Sequence, residues 1–339
     1  GRVSRRFGRD GRLRAAWADG QRGGSGWLEP ADYPRIVDPP NGRLWTANSR
    51  VVDGDWLATL GDGDYALGAR ARQIRDGLLE RDRFDERAFL NLQLDDRALF
   101  LERWRQLLLT TLTPEAVHAD PEREEMRRLV LDWGGRAAIG SAGYRLVRAF
   151  RDELRERVFA PLLVPCRQAD PQFDYSQFRQ YEGPLWRLLS QRPPHLLDPR
   201  YADWSALLLA AADAVRAQLT ADGRSLAAHT WGDYNRVRIQ HPFSRTLSWL
   251  SGWLDMPARA LPGDLHMPRV QLPGNGASQR LVVAPGRETA GILHMPGGQS
   301  GHPLSPFYRT GFDAWAKGEP SPLVPGHAQH RLELRPDAR

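Results

Sequence analysis

The spacing of hydrophobic residues divides the chain into a long helical middle part and two flanking parts. From residue 85 to about residue 223, apolar side chains recur every three or four positions, which predicts amphipathic helices. A further helix is predicted from Ala69 to Glu80, and Thr113 followed by Pro114 is typical of a helix start. We interpret the apolar stripes as packing surfaces, so the middle part is predicted to be a scaffold.

On the N-terminal side of these helices the pattern changes. Residues 1–32 are rich in Arg, Gly and Asp and predict an irregular segment with one short strand. Pro39-Pro40-Asn41-Gly42 predicts a turn, because the prolines fix φ and Asn-Gly tolerates a positive φ. Apolar and polar residues then alternate from Arg43 to Val51, which predicts a strand with Asn48 near its end.

On the C-terminal side of the helices the period also shortens towards two residues. We predict a strand over residues 226–239 with a turn at Gly232-Asp233, followed by a loop-rich stretch that prolines interrupt. Residues 276–283 and 290–295 are predicted to pair as antiparallel strands. We expect this pair to join the sheet that holds Asn48.

A glycine-rich run, Gly297–Pro303, precedes the end of the chain. Its glycines permit close backbone approach, and Ser300 lacks the Gly-x-Ser-x-Gly spacing of a nucleophile elbow. We therefore interpret this run as structural. A short helix is predicted over residues 308–317 and a last edge strand over residues 330–334.

The composition argues against several classes of partner. A hydrophobic content of 41% and a charged content of 26% are ordinary for a globular protein. The net charge of +6 is spread along the chain, without a run of five or six like charges, so a nucleic-acid partner is not predicted. No stretch of 18 apolar residues is present, so no membrane span is predicted either.

Cys166 is the single cysteine of the chain. One cysteine excludes an intramolecular disulfide and a cysteine-cluster metal site. Because Cys166 follows the apolar run 162–165, we predict that it is buried as a small hydrophobic residue.

Asn48 is the first candidate for chemistry. A side-chain amide that is held rigidly at the end of a strand presents two N–H donors, which can stabilise a developing oxyanion. Asn is also common where a strand runs into a turn, because its side chain hydrogen-bonds to the local backbone. From this residue alone both roles stay open.

Two motifs near opposite ends of the chain carry a family resemblance. The first is Pro39-Pro40-Asn41-Gly42 followed by Thr46-Ala47-Asn48-Ser49-Arg50-Val51. The second is Pro296-Gly297-Gly298-Gln299-Ser300-Gly301-His302-Pro303-Leu304-Ser305-Pro306-Phe307-Tyr308, with Trp315, Gly318 and Glu319 after it. In both motifs, and in their order, the chain resembles the penicillin acylase (penicillin amidase) family of N-terminal nucleophile hydrolases.

The resemblance implies an α+β fold. We expect part of the αββα sandwich of antiparallel strands that N-terminal nucleophile (Ntn) hydrolases form, together with a large helical insertion. On this basis residues 1–68 would be an N-terminal segment with the core strand that carries Asn48, and residues 69–224 would be the helical insertion. Residues 225–339 would return to the β core with the glycine-rich motif, the short helix and the tail.

The resemblance also implies an activity, the hydrolysis of a linear amide through an acyl-enzyme. Family members are cut from a precursor into an α chain and a β chain, and the new β-chain N-terminus is a Ser whose own amino group acts as base. Gly1-Arg2-Val3-Ser4 starts this chain without such a nucleophile. We therefore expect the C-terminal part of a β chain, inactive alone, with the α chain and the N-terminal part of the β chain as partners. The family resemblance implies a periplasmic or secreted location.

Arg70 is the second candidate that the resemblance implies. It follows Asn48 at the distance at which the family has a functional Arg, and would orient Asn48 or a substrate acid group. The alternative is that Arg70, Arg72 and Arg75 form one solvated helix face.

A calcium site is the cofactor that the resemblance suggests. Asp53, Asp55, Asp62 and Asp64 lie among glycines, but no Glu closes an EF-hand loop. Most of the family's calcium ligands would lie outside this chain, so a solvated acidic loop is our first interpretation of residues 53–68. No metal ligand is assigned.

Apart from nucleic-acid binding, which the charge distribution does not favour, two functional hypotheses of different classes remain. The first is part of an amidohydrolase that acts on penicillins, cephalosporins with acidic side chains or acyl-homoserine lactones. The second is a non-catalytic product, either a truncated or split acylase remnant or a binding subunit.

Overall fold

The computed structural model describes residues 3–7, 10, 18–61, 65–175 and 178–336. Helices dominate this part of the chain, and the strands form two small antiparallel pairs. The helices are α1 (Gly54–Leu60), α2 (Ala69–Leu79), α3 (Glu86–Gln93), α4 (Glu102–Thr111), α5 (Pro114–Ala119), α6 (Glu122–Leu131), α7 (Ala142–Ala169), α8 (Glu182–Gln191), α9 (Trp204–Thr220), α10 (Trp231–Tyr234), α11 (Pro242–Thr246), α12 (Ser251–Leu254) and α13 (Phe312–Lys317). The strands are β1 (Ser4–Phe7), β2 (Gly23–Trp27), β3 (Arg280–Val282) and β4 (Ile292–His294).

The predicted helical character of the middle part is confirmed. Helix α7, 28 residues long, packs against α4, α6, α8 and α9, and the largest hydrophobic core lies between these helices. Side chains cap several helix starts by accepting a hydrogen bond from the first turn, as Thr113 does from the backbone N–H of Ala116 at 3.2 Å. Ser141 and Asp203 cap α7 and α9 in the same way.

A buried carboxylate joins three of these helices. Glu182, the first residue of α8, accepts hydrogen bonds from Arg151 Nη2 of α7 at 2.7 Å and from Trp104 Nε1 of α4 at 2.9 Å. Arg103 of α4 also donates to it. Only 4% of the Glu182 side chain and 1% of the Arg151 side chain are exposed. The several donors to this one carboxylate offset the free-energy cost of desolvating the buried charges. Because the donors lie on α4 and α7, their hydrogen bonds to Glu182 fix the positions of α4, α7 and α8 relative to one another.

Helix α7 extends further than its buried face. The last buried residue of the helix is Val158, but the helix continues through Pro161 and Pro165 to Ala169. On this last part Leu162 is exposed and Cys166 is only partly covered. The prediction of a buried Cys166 is therefore wrong, because the helix end projects beyond the core that covers residues 144–158.

The predicted pair of C-terminal strands is confirmed, although both strands are short. Arg280 pairs with His294 and Val282 with Ile292 in an antiparallel register. Val282 and Ile292 are buried against Leu90 of α3. This small sheet thereby attaches the C-terminal part of the chain to the helices.

Three strand predictions are wrong. Residues 43–51 form no strand, and Ser49 makes only an isolated bridge with Ala66. The expected sheet joining Asn48 to β3 and β4 is consequently not present in the described chain. A strand needs a neighbour for its backbone groups, and Asn48 adopts a left-handed φ of 60° that ends an extended run.

The other two wrong strand predictions concern segments that follow α9 in the chain. Residues 226–239 contain a 3-10 turn, Leu226–Ala228, and helix α10 in place of the predicted strand and turn. Thr230 caps α10, and burial of Trp231, whose Nε1 donates to Gly263 O at 2.9 Å, holds this helix in the core. Residues 330–334 are not a strand either.

The structural interpretation of the glycine-rich run agrees with its packing. A Cβ on Gly298 would lie 1.9 Å from the carbonyl oxygen of Phe307, so only glycine fits there. The Gly311 N–H donates to Gly297 O at 2.8 Å at the start of α13. Helix α13 lies within the predicted range 308–317, and its Phe312 and Trp315 are buried.

We predict that Glu182→Gln destabilises the protein by about 3–5 kcal/mol, because the guanidinium groups of Arg151 and Arg103 lose their buried counter-charge. Denaturant unfolding of the variant and of wild type measures this difference. Glu156→Gln is the matched control: Glu156 pairs with Arg155 and its side chain is 49% exposed, so its loss should cost less than about 1 kcal/mol. Equal stability of Glu182→Gln and wild type would contradict the assignment.

Candidate functional site

Asn48 and Arg70 are brought into direct contact. Arg70 Nη2 donates to Asn48 Oδ1 at 2.8 Å and to the carbonyl oxygen of Ala47 at 2.8 Å. Arg70 is half-buried and turned towards the segment before α1, so it does not lie on the solvated helix face that was its alternative role. Arg72, by contrast, has a side chain that is 77% exposed.

The contact with Arg70 sets the orientation of the Asn48 amide. A guanidinium group carries only donors, so the atom that faces it must be the amide oxygen. The Nδ2 group, with two N–H donors, is then left on the other side of the amide. Asn48 is exposed, so a ligand can reach these donors.

The backbone at Asn48 is fixed as well. Its left-handed conformation, with φ of 60°, is one that Asn adopts more readily than most residues. The Asn48 carbonyl oxygen accepts a hydrogen bond from Ala66 N at 2.9 Å, and Ser49 is buried. Both the backbone and the side chain of Asn48 thus have defined partners.

Helix α2 gives Arg70 a rigid base. Gln73, only 3% exposed, donates from Nε2 to Asp95 Oδ2 at 2.8 Å and to Arg97 O at 3.1 Å. Gly77 packs so closely on Leu92 of α3 that a Cβ would lie 2.5 Å from Leu92 Cδ1. These contacts fix α2 against α3 and the loop that follows it.

Among the residues that the structure describes, Arg70 has no carboxylate partner and donates only to the Ala47 carbonyl oxygen and to Asn48 Oδ1. Burial lowers the pKa of Arg70 from its ordinary value, yet an Arg remains protonated at neutral pH. The site is therefore positively charged, which favours negative charge that develops next to the Asn48 amide.

A neutral histidine within electrostatic reach of Arg70 was missed by the sequence reasoning. Burial, assisted by the charges of Arg151 and Arg148, lowers the pKa of His266 to about 3. Its ring packs against Phe100 with centroids 4.9 Å apart. The charge of Arg70 lowers this pKa further. No sequence pattern around His266 distinguishes it, since its burial arises from contacts with distant helices.

The residue two positions before His266 is a buried carboxylate. Asp264 Oδ2 accepts from Tyr144 Oη at 2.7 Å and from Arg148 Nε at 2.9 Å. Because the Arg148 charge and these hydrogen bonds outweigh desolvation, the pKa of Asp264 is lowered. Asp264 stays ionised and ties the loop with His266 to α7.

The acidic residues considered for calcium do not assemble in the described chain. Asp53 caps α1 by accepting from Gly54 N at 2.9 Å, and α1 replaces part of the loop predicted over residues 53–68. Asp62 and Asp64 lie outside the described residues. Within the ranges that the structure covers, no three His, Cys, Asp or Glu side chains come close enough to hold a metal ion.

Among the described residues, no helix has the length and apolar character needed to cross a membrane.

Comparison with known proteins identifies the family of this chain. The sequence model described as penicillin amidase matches residues 1–330. The chain belongs to the penicillin amidase family. The fold agrees: the structure of a thermostable penicillin G acylase from Alcaligenes faecalis matches 99% of this chain and 65% of its own, with a TM-score of 0.58 and 16% sequence identity.

Curated relatives of this family member include two kinds of acylase. The penicillin acylase 2 proenzyme of Pseudomonas sp. strain SE83 is 27% identical over 318 residues, which cover 88% of this chain and 38% of the relative. The acyl-homoserine lactone acylase QuiP of Pseudomonas aeruginosa is 25% identical over 376 residues, covering 94% and 42%. The chain thus spans about two fifths of the length of these relatives.

We predict that His266 contributes to the loss of stability in acid. An unfolded His titrates near pH 6.5, whereas folded His266 stays neutral down to about pH 3. Between these values the unfolded state binds a proton that the folded state does not, so stability falls as the pH falls. From about pH 7 to about pH 5 this contribution amounts to about 2 kcal/mol.

The variant His266→Phe keeps a ring against Phe100 but cannot titrate, so its free energy of unfolding should fall less over that range than that of wild type. Denaturant unfolding at several pH values measures the difference. His327→Phe, at an exposed position in the tail, is the control and should follow wild type. A His266→Phe variant with the pH dependence of wild type would show that His266 is not held neutral.

Proposed function

We propose that this chain is the C-terminal part of an N-terminal-nucleophile amidohydrolase of the penicillin or acyl-homoserine-lactone acylase type. The observation that carries the proposal is the Arg70–Asn48 contact, which leaves the Asn48 Nδ2 group free to donate. Family membership and the names of the relatives support the reaction class. The partners in this proposal are the α chain and the N-terminal part of the β chain, which would supply the nucleophilic Ser.

In the proposed reaction, the Ser hydroxyl oxygen attacks the carbonyl carbon of a linear amide, and its proton passes to the α-amino group of the same Ser. The carbonyl oxygen becomes an oxyanion, to which Asn48 Nδ2 donates a hydrogen bond. Collapse of this intermediate breaks the C–N bond, and the leaving amine takes the proton. Water then hydrolyses the acyl-enzyme by the same steps.

Arg70 has a positioning role in this proposal. Its two hydrogen bonds hold the amide oxygen of Asn48 away from the substrate, so the donor side faces the developing charge. A donor that is already oriented needs no reorganisation when the oxyanion forms, which is why such groups lower reaction barriers effectively. The positive charge of Arg70 adds to this stabilisation.

The periplasmic or secreted location belongs to the same proposal and is supported only by the family resemblance. Calcium binding also stays a prediction from that resemblance. The described residues provide no ligand set for the ion, and no step of the proposed reaction involves it.

The test is the variant Asn48→Ala in the protein that contains this chain together with its nucleophile. We expect kcat for amide hydrolysis to fall about 10²–10³-fold, as is typical for the loss of one oxyanion donor, with a much smaller change in KM. Hydrolysis of a phenylacetyl amide and of an acyl-homoserine lactone would be followed. Asn91→Ala, on the exposed face of α3, is the matched control and should keep wild-type kcat. An unchanged kcat in Asn48→Ala would remove the assignment.

A further inference from the structure

Two segments in the C-terminal third of the chain expose large apolar side chains to water. The first, residues 241–254, contains α11 and α12, and the second, residues 302–309, begins at the end of the glycine-rich run. Single exposed apolar residues are common on proteins, but a group of them is typical of an interaction site. We call the group the docking face; its members, between 45% and 76% exposed, are Phe243, Leu247, Trp249, Trp253, Leu304 and Phe307.

The two segments are fastened to one another by hydrogen bonds. Tyr308 Oη donates to Leu254 O at 2.7 Å. Arg309 Nη2 donates to Gly252 O at 2.9 Å and to Asp255 O at 2.6 Å. The docking face is therefore one surface built from two parts of the chain.

A concavity of about 270 Å³ lies between the two segments. Trp253 lines it from the first segment and Leu304 from the second. The second segment is also held from the glycine-rich run, where Gly298 packs on the backbone of Phe307 without room for a Cβ. Because the surface is already ordered, a partner can bind it without the cost of ordering it.

The docking face carries little charge. Arg245 and Arg309 are the only Asp, Glu, Lys or Arg residues in the two segments. Arg309 already donates to two backbone carbonyls of the first segment. Nucleic acids and anionic membranes bind through clusters of Lys and Arg, which these segments lack. An apolar polypeptide surface is the better fit, since permanent interfaces resemble a hydrophobic core cut in two.

The relatives indicate where such a polypeptide would come from. This chain spans about two fifths of the length of the curated relatives. About a third of the solved penicillin G acylase chain lies outside the match, and it belongs to the same polypeptide as the matched part. An additional part of that size needs an extensive apolar surface to pack against, which the docking face would provide.

We propose that the docking face is covered by the N-terminal part of the β chain, whose apolar side chains enter the concavity between Trp253 and Leu304. The inference rests on the proposed function and assigns a surface to one of its partners. A second copy of this chain and a lipid surface are the other occupants that the test distinguishes.

The test measures whether the docking face is covered in the complete protein. Leu304→Cys and Trp253→Cys are made separately in a Cys166→Ser background, and their reaction with a maleimide is followed by mass spectrometry. We expect each to react at least about a hundredfold more slowly than the control Glu124→Cys, at an exposed position of α6. In denaturant all three should react at similar rates. Leu304→Cys alone decides the test if Trp253→Cys does not fold.

Reaction of Leu304→Cys at the rate of the control would overturn the proposal. Protection that is lost when the protein is diluted to a single copy would assign the face to a second copy. Protection that appears only with vesicles of phosphatidylethanolamine and phosphatidylglycerol would assign it to a membrane, and both outcomes contradict the proposal. An unprotected face in a protein that hydrolyses amides would refute this inference alone, whereas a protected face in a protein without amide hydrolysis would refute the proposed function.

Discussion

The two hydrogen bonds that Arg70 donates to Ala47 and Asn48 are the contacts on which the site depends. They fix which end of the Asn48 amide faces outward, a choice that the backbone alone would leave to free rotation of the side chain. Because Arg70 has no described carboxylate partner, its charge is not cancelled where it acts. The proposed oxyanion role of Asn48 depends on this arrangement, and so does the positive charge beside it.

The helical part of the chain contributes to the site by fixing the position of α2, which carries Arg70. Gln73 ties α2 to the loop after α3, and Phe100, two residues before α4, packs against His266. The guanidinium groups of Arg103 and Arg151 each lie 5.3 Å from the Phe100 ring, and both bind the buried Glu182. The buried charges of the helical scaffold are therefore linked through Phe100 to the loop that carries His266. Loss of this packing would loosen the site without a direct change to Asn48 or Arg70.

The sequence reasoning succeeded where local periodicity determines structure. The three- to four-residue spacing of apolar side chains predicted α2, α4, α7 and α9, since a helix satisfies its own backbone and needs only one buried face. The pairing of β3 with β4 was also predicted, because both strands lie close together in the chain. Residues 43–51 show the limit of the method. Their alternation indicates a strand, but a strand forms only beside a neighbour, and no described segment of this chain supplies one.

The candidate site was predictable to a different extent. Asn48 and Arg70 were identified from a family resemblance and from their spacing, and the structure places them in contact. His266 could not be found in this way, because its neutral state depends on burial against Phe100 and on charges from α7. Tertiary contacts of this kind leave no periodic signal.

The most direct measurement is a crystal structure of the complete protein with a phosphonate that mimics the tetrahedral intermediate bound to the nucleophile. We expect Asn48 Nδ2 to lie about 3 Å from the oxygen that stands for the oxyanion, while Asn48 Oδ1 keeps its hydrogen bond to Arg70. A phosphonate oxygen bound elsewhere, or an Asn48 amide turned with its oxygen towards the phosphonate, would contradict the central claim.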